Sequence, residues 1–263
     1  MAARLEPAGA SLALPAAGYW QESLQPLASL AFVAPLLVAY EAGVVCLGPH
    51  AIRNGADVWL RRWLDLSGFG QYFLLPVLVC GMLLGWHHAS RRPWKVDWRV
   101  VRVMWLEAAV LGMVLLLAAQ LQGRLFGSWN AAAVDAAVAP TVAPPTAARV
   151  VGYLGAGIYE EFFFRLLLLS PLMLTLQATG LNRRGSLLAA IGFTSLLFAL
   201  AHYRCDVVLF GQSWSLAHGE AFAWPSFLFR YAAGAIFAVL FAFRGFGIAV
   251  GTHACYDLLI VLL

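Results

Sequence analysis

Long runs of apolar residues, separated by short polar segments, make up most of the sequence. Each run is predicted to form an α-helix that crosses a membrane, because spanning the hydrocarbon core takes about 20 predominantly apolar residues. The pattern predicts about seven such helices. They lie at about residues 24–47, 71–88, 103–121, 149–177, 187–203, 225–243 and 246–263.

One shorter segment, residues 52–66, has a different pattern. Its apolar residues recur at helical spacing and its charged residues fall on the opposite side, which predicts an amphipathic helix lying in the membrane interface with tryptophans at headgroup depth. A lid that faces a substrate is the alternative, and the anchor is favoured. The apolar side consists of Val58, Trp59, Trp63 and Leu66, and the charged side of Arg61, Arg62 and Asp65.

The composition supports a membrane protein of the all-α class. Of the 263 residues, 62% are hydrophobic and 11% are charged, whereas soluble domains have about 25% charged residues. A soluble globule of this size cannot bury that much apolar surface. We therefore expect a polytopic bundle of membrane helices with one interfacial helix.

The net charge of +4 comes mainly from arginines and lysines in the short loops. Loops 89–102 and 177–186 are basic, and the positive-inside rule places both, together with the N-terminus, on the cytoplasmic side. No basic stripe with interleaved aromatic residues occurs, so nucleic acid is not an expected partner. The four cysteines lack the spacing of a metal or redox site and are expected to be small core residues or free thiols rather than a disulfide framework.

Ionisable residues inside the predicted helices are concentrated in the C-terminal half of the chain. A charged side chain at the centre of a membrane helix costs at least about 2.5–3.5 kcal/mol, so such groups pair, line a wet cavity or take part in chemistry. Their distribution predicts a site in the interior of the bundle, built from four facing helices. They are Glu160, Glu161, Arg165, His202, Arg230, His253 and Asp257.

The spacing of these residues suggests a division of roles. Glu161 and Arg165 are four residues apart and are expected to form an ion pair. Glu160 is rotated by about 100° from Glu161 and remains available as a general base. His253 and Asp257 share a helix face, and Phe198 precedes His202 by one turn.

Each of these features alone has a structural explanation. A single histidine in a membrane helix is more often a hydrogen-bonding partner than a catalyst, and a single Glu–Arg pair commonly holds helices together. Three such motifs on three helices favour a catalytic site.

The three motifs are Glu160-Glu161-x-x-x-Arg165, Phe198-x-x-x-His202 and His253-x-x-x-Asp257. They resemble those of the CAAX protease and bacteriocin-processing (CPBP) intramembrane proteases, which include the Rce1-type prenyl-protein endopeptidases. The resemblance covers roughly residues 147–263. The resemblance assigns residues 147–263 to a catalytic core. The Ala/Pro/Gly-rich composition predicts a disordered tail at residues 1–22, and the apolar pattern predicts N-terminal membrane helices with the interfacial helix and a proline-rich loop at residues 23–146.

The resemblance implies endoproteolysis of a hydrophobic or lipid-linked substrate within the membrane. Glu160, assisted by His202, would activate the attacking water. His253 and Asp257 would hold this water or stabilise the oxyanion, and Glu161, Arg165 and Phe198 would order the site. The apolar segments predict a multi-pass membrane protein, and a plasma membrane of bacterial type is its expected location.

Two questions stay open at this point. The family is often described as metalloproteases, and Glu160, His202 and His253 are residue types that could hold Zn²⁺ with one open position. A metal-free glutamate mechanism is favoured, because Glu160 cannot be both a tight ligand and a free base.

The alternative function is a non-catalytic membrane protein, either a transporter or a relative that binds without cutting. No inverted repeat of the transporter type is evident.

Overall fold

The computed structural model describes residues 16–70, 73–126, 145–209, 212–216 and 219–262. Helices make up most of this part of the chain, as predicted. Within these described ranges one π-helical segment, Phe162–Leu169, joins the helix that ends at Glu161 to the helix that begins at Ser170 without a break. The helices are α1 (Ala16–Ser23), α2 (Pro26–Leu47), α3 (Gly55–Leu66), α4 (Leu74–Ala89), α5 (Trp98–Leu125), α6 (Thr146–Glu161), α7 (Ser170–Ala178), α8 (Arg183–Leu200), α9 (Trp224–Arg244) and α10 (Phe246–Leu262).

The helices confirm an all-α, multi-pass membrane protein. By length and composition, five helical segments of the described chain are suited to crossing a bilayer, and α4 and α10 are shorter apolar helices. The predicted count of seven spans is therefore not confirmed. The five segments are Pro26–His50, Trp98–Leu125, Thr146–Ala178, Arg183–Leu200 and Trp224–Arg244.

Some local expectations differ from the structure. Residues 16–22, predicted to belong to the disordered tail, lie in α1, and residues 1–15 fall outside the described residues. The proline-rich loop, predicted at residues 122–148, also lies mostly outside the described residues. Residues 122–125 belong to α5, and residues 146–148 belong to α6. Between α8 and α9, strands β1 (Cys205–Leu209) and β2 (Gln212–Leu216) form an antiparallel hairpin in which Cys205 pairs with Leu216. This hairpin was not predicted from the sequence.

Helix α10 lies at the centre of the bundle and packs against α2, α5, α6 and α9. Small residues permit this close packing, since membrane helices approach each other where side chains are short. A Cβ atom added to Gly251 would lie 2.5 Å from the ring of Phe32, and one added to Gly157 of α6 would lie 2.8 Å from the backbone nitrogen of Ala254. The first half of α10 is therefore held tightly between N-terminal and C-terminal helices.

Helix α3 has the two faces expected of an interfacial helix. Its apolar face is open, and Trp63 is 71% exposed. Its opposite face is anchored by the fully buried carboxylate of Asp57, which accepts hydrogen bonds from the Tyr40 hydroxyl at 2.9 Å and from Arg61 Nε at 2.7 Å. Arg61 also pairs with Glu41 of α2 at 2.9 Å. This network fixes α3 against the bundle.

Candidate active site

The first motif lies where α6 passes into the π-helical segment. Glu160 and Glu161 are the last two residues of α6, and Arg165 belongs to the π-helical turn that follows. Arg165 and Glu161 are completely buried and form the predicted ion pair, with Nε and Oε2 2.9 Å apart. Arg165 Nη2 also donates to the carbonyl of Gly234 in α9 at 3.1 Å. The pair thus connects the motif helix to a second helix.

His253 is oriented by the same ion pair. Its Nδ1 lies 3.0 Å from Oε1 of Glu161. Because the ionised carboxylate of Glu161, which already pairs with Arg165, can only accept a hydrogen bond, Nδ1 of His253 carries the proton. The imidazole ring stacks on Phe237 with centroids 4.4 Å apart. Its Nε2 therefore points away from Glu161, to 3.6 Å from Asp257 Oδ2 and 3.8 Å from Glu160 Oε2.

His202 reaches the site from just beyond the end of α8. Its Nδ1 lies 2.7 Å from the carbonyl oxygen of Phe198. Because a carbonyl oxygen can only accept, Nδ1 is again the protonated nitrogen. Nε2 then faces Glu160 Oε2 at 3.9 Å. The phenyl ring of Phe198 lies between the two imidazoles, 4.9 Å from His202 and 5.9 Å from His253 by ring centroids.

The two oxygens of Glu160 have different surroundings. Oε1 accepts a hydrogen bond of 2.5 Å from the side-chain amide of Asn54, at the start of α3. Oε2 is buried and has no hydrogen-bond partner in the described chain. It faces Nε2 of both His202 and His253. One oxygen of Glu160 is therefore held, and the other is available to a molecule placed between the histidines.

A cavity of about 620 Å³ adjoins these groups. Apolar and aromatic residues form part of its wall, and the ion pair between Arg230 and Glu220, with 2.8 Å between Nη2 and Oε1, lies at the wall as well. Its size and mixed lining are typical of a small-molecule or peptide pocket. The polar lining residues include Asn54, Arg149, Tyr153, Glu160, His202, Glu220, Arg230, His253, Tyr256 and Asp257.

The structure brings all the predicted site residues together. Glu160, His202, His253 and Asp257 face the cavity, together with Phe198, while Glu161 and Arg165 lie behind them. The assignment of catalytic roles to these residues stays a prediction.

Asn54 was not among the site residues predicted from the sequence. The available signal was an asparagine directly before an amphipathic helix, which indicates an N-cap and says nothing about a contact with Glu160, 106 positions away.

The donor types at this site are those that zinc uses, two imidazoles and carboxylates. However, the described part of the chain contains no group of three or more His, Cys, Asp and Glu side chains arranged to hold a metal ion. Glu160 Oε1 is also engaged by Asn54. In this arrangement the described side chains do not form a metal site.

Comparison with known families agrees with the motifs. The model of the family described as type II CAAX prenyl endopeptidase Rce1-like matches residues 143–259. No curated protein and no solved structure gives a significant match. The predicted resemblance is thus confirmed for residues 143–259, which include all seven predicted site residues.

Proposed function

We propose, starting from the Rce1-like match of residues 143–259, that this protein is an intramembrane endopeptidase. Its substrate is a hydrophobic or lipid-linked peptide, and its nucleophile is a water activated by Glu160 with the help of His202. The observation that carries the proposal is the position of Glu160 Oε2. This buried oxygen lacks a partner in the described chain and faces both histidines beside a cavity.

The proposed reaction begins with a water held between Glu160 Oε2 and the histidines. His202 presents an unprotonated Nε2, since its proton is committed to Phe198 through Nδ1, and therefore accepts a hydrogen bond from this water. Glu160 removes a proton as the water oxygen attacks the scissile carbonyl carbon. Collapse of the tetrahedral intermediate then breaks the C–N bond, and Glu160 returns the proton to the leaving amine.

The oxyanion of the intermediate requires a hydrogen-bond donor in a site shielded from water. His253 and Asp257 supply it in this proposal, because their polar atoms lie 3.6 Å apart beside Glu160. A donor at this place requires a proton on Nε2 of His253 or on the carboxyl group of Asp257. Glu161 keeps the ring of His253 in place through Nδ1.

The test is cleavage of internally quenched peptides by the purified protein in phospholipid vesicles. One peptide carries a farnesylated cysteine followed by three residues, and a matched peptide lacks the farnesyl group. Glu160→Gln is expected to lower kcat by about 10²–10⁴-fold, the usual contribution of a general base. Glu22→Gln, a change of a carboxylate in α1 that hydrogen-bonds Gln25, serves as the control and is expected to cleave at the wild-type rate.

If Glu160→Gln and His202→Ala cleave as fast as the wild type, the catalytic assignment is wrong. If the wild type cleaves neither peptide but binds the farnesylated one, the non-catalytic alternative is favoured. Zinc bound in stoichiometric amount, with activity lost to a chelator and restored by Zn²⁺, would overturn the metal-free mechanism.

A further inference from the structure

We propose that Asn54 is a positioning residue that holds the carboxylate of Glu160 in the orientation required of the base. This inference rests on the proposed function. Its physical basis is the hydrogen bond from the side-chain amide of Asn54 to Glu160 Oε1. Asn54 is the N-cap residue of α3. The base would therefore be oriented by a residue outside the family-matched segment, residues 143–259.

The orientation of the Asn54 amide follows from its own hydrogen bonds. Its Oδ1 accepts from the backbone nitrogen of Ala56 at 2.7 Å and from that of Asp57 at 3.4 Å, and so caps α3. These backbone groups can only donate, so Oδ1 and Nδ2 cannot be exchanged. Nδ2 is consequently directed at Glu160, where it meets an oxygen that can accept.

The second hydrogen bond of Asn54 is not needed for capping. Asn182 caps α8 in the same way, with its Oδ1 2.8 Å from the backbone nitrogen of Gly185. Asn182 is exposed and is not among the residues that line the cavity. The two residues therefore share the capping role, and only Asn54 touches the site.

The contact with Glu160 also restricts what the carboxylate can do. With Oε1 held by Asn54, rotation of the carboxylate is limited and Oε2 stays directed at the two histidines. Helix α3 is itself fixed through the buried Asp57 and its bonds to Tyr40, Arg53 and Arg61. A carboxylate without this donor would sample other orientations, in which Oε2 no longer faces the attacking water.

The experiment compares Asn54→Ser with Asn182→Ser. Serine caps a helix about as well as asparagine but is too short to reach Glu160 from position 54. With the peptide that the wild type cleaves, Asn54→Ser is expected to lower kcat by roughly 10- to 100-fold, because a hydrogen bond to a charged group is lost. KM is expected to stay within about twofold, because the lost hydrogen bond orients the base for the chemical step and does not bind the substrate. Loss of the helix cap alone would not lower kcat in this way. Asn182→Ser is expected to change neither constant.

A second measurement does not require activity. Thermal unfolding midpoints are compared for both serine variants in the wild-type and Glu160→Ala backgrounds. Asn54→Ser is expected to lower the midpoint more in the wild-type background, because only there does it break the contact with Glu160, whereas Asn182→Ser is expected to act equally in both.

The two measurements separate the possible failures. Equal effects of Asn54→Ser in both backgrounds, or an unchanged kcat in an active enzyme, would overturn the role of Asn54. Absence of cleavage by the wild type, with the expected coupling between Asn54 and Glu160 present, would count against the proposed function and leave the contact established.

Discussion

Glu160 and Glu161 are adjacent in the sequence and have different surroundings. Glu161 is completely buried and accepts from both Arg165 and His253. Glu160 lies at the cavity wall with Oε2 directed at two histidines. The rotation of about 100° between successive helix residues is sufficient to separate them. One carboxylate therefore neutralises a buried arginine, and the other remains available for chemistry.

This difference predicts opposite consequences for two similar substitutions. Glu161→Gln leaves the guanidinium of Arg165 buried without its counter-charge and is expected to lower the free energy of unfolding by about 3–5 kcal/mol. Glu160→Gln removes no ion pair with arginine and is expected to unfold close to the wild type while losing activity. Thermal unfolding in detergent, followed by tryptophan fluorescence, measures both.

A double variant provides the control for Glu161→Gln. Glu161→Gln combined with Arg165→Met removes both charges and is expected to recover much of the lost stability. It is not expected to recover activity, since the bond that orients His253 is weakened. Equal unfolding midpoints for Glu160→Gln and Glu161→Gln would contradict the assignment of the two carboxylates.

At the scale of elements, the site depends on how closely α6 and α10 approach each other. The two helices pack closely at Gly157 and Ala254, one turn before Glu160 and next to His253. A side chain at position 157 would meet backbone atoms of α10, which cannot move aside as the end of a flexible side chain can. The short distance between Glu160 and His253 therefore requires a glycine here.

We predict that Gly157→Ala separates these helices. An added Cβ would lie 2.9 Å from the Cα atom of Ala254, and relief of this overlap is expected to cost about 1–3 kcal/mol of stability. Activity is expected to fall as Glu160 and His253 move apart. Gly81→Ala in α4 is the matched control, because its Cβ would meet no atom within 4 Å. If both variants keep wild-type unfolding midpoints and rates, the close approach does not position the site.

The elements also show where sequence patterns are informative. Apolar runs predict the long helices well, since burial in a bilayer leaves helices as the main solution for backbone hydrogen bonding. The hairpin was missed, although residues 213–216 (Ser-Trp-Ser-Leu) alternate polar and apolar side chains, which is a strand signal. The bond between Asn54 and Glu160 could not be predicted in this way, because it depends on how helices distant in the chain pack together.

At the scale of the whole molecule, the catalytic motifs depend on the N-terminal half of the chain. Phe32 of α2 and Ala108 of α5 contact α10 at Gly251, where an added Cβ would lie within 2.8 Å of both. Asn54 of α3 contacts the proposed base directly. The N-terminal helices matched the family only as generic membrane segments in the sequence, yet they enclose the helix that carries His253 and Asp257.

We therefore predict that a chain consisting of residues 143–263 will not form a functional site, although it includes every predicted site residue. Without α2 and α5, the buried half of α10 would be exposed to lipid or to other copies, and Glu160 would lose the donor on α3. We expect the fragment to elute as aggregates after detergent extraction and to leave the peptide uncleaved, whereas the full chain elutes as a single species. A monodisperse fragment that cleaves at the full-length rate would show that residues 143–259 alone build the site, and that the contacts of α2, α3 and α5 with it are dispensable.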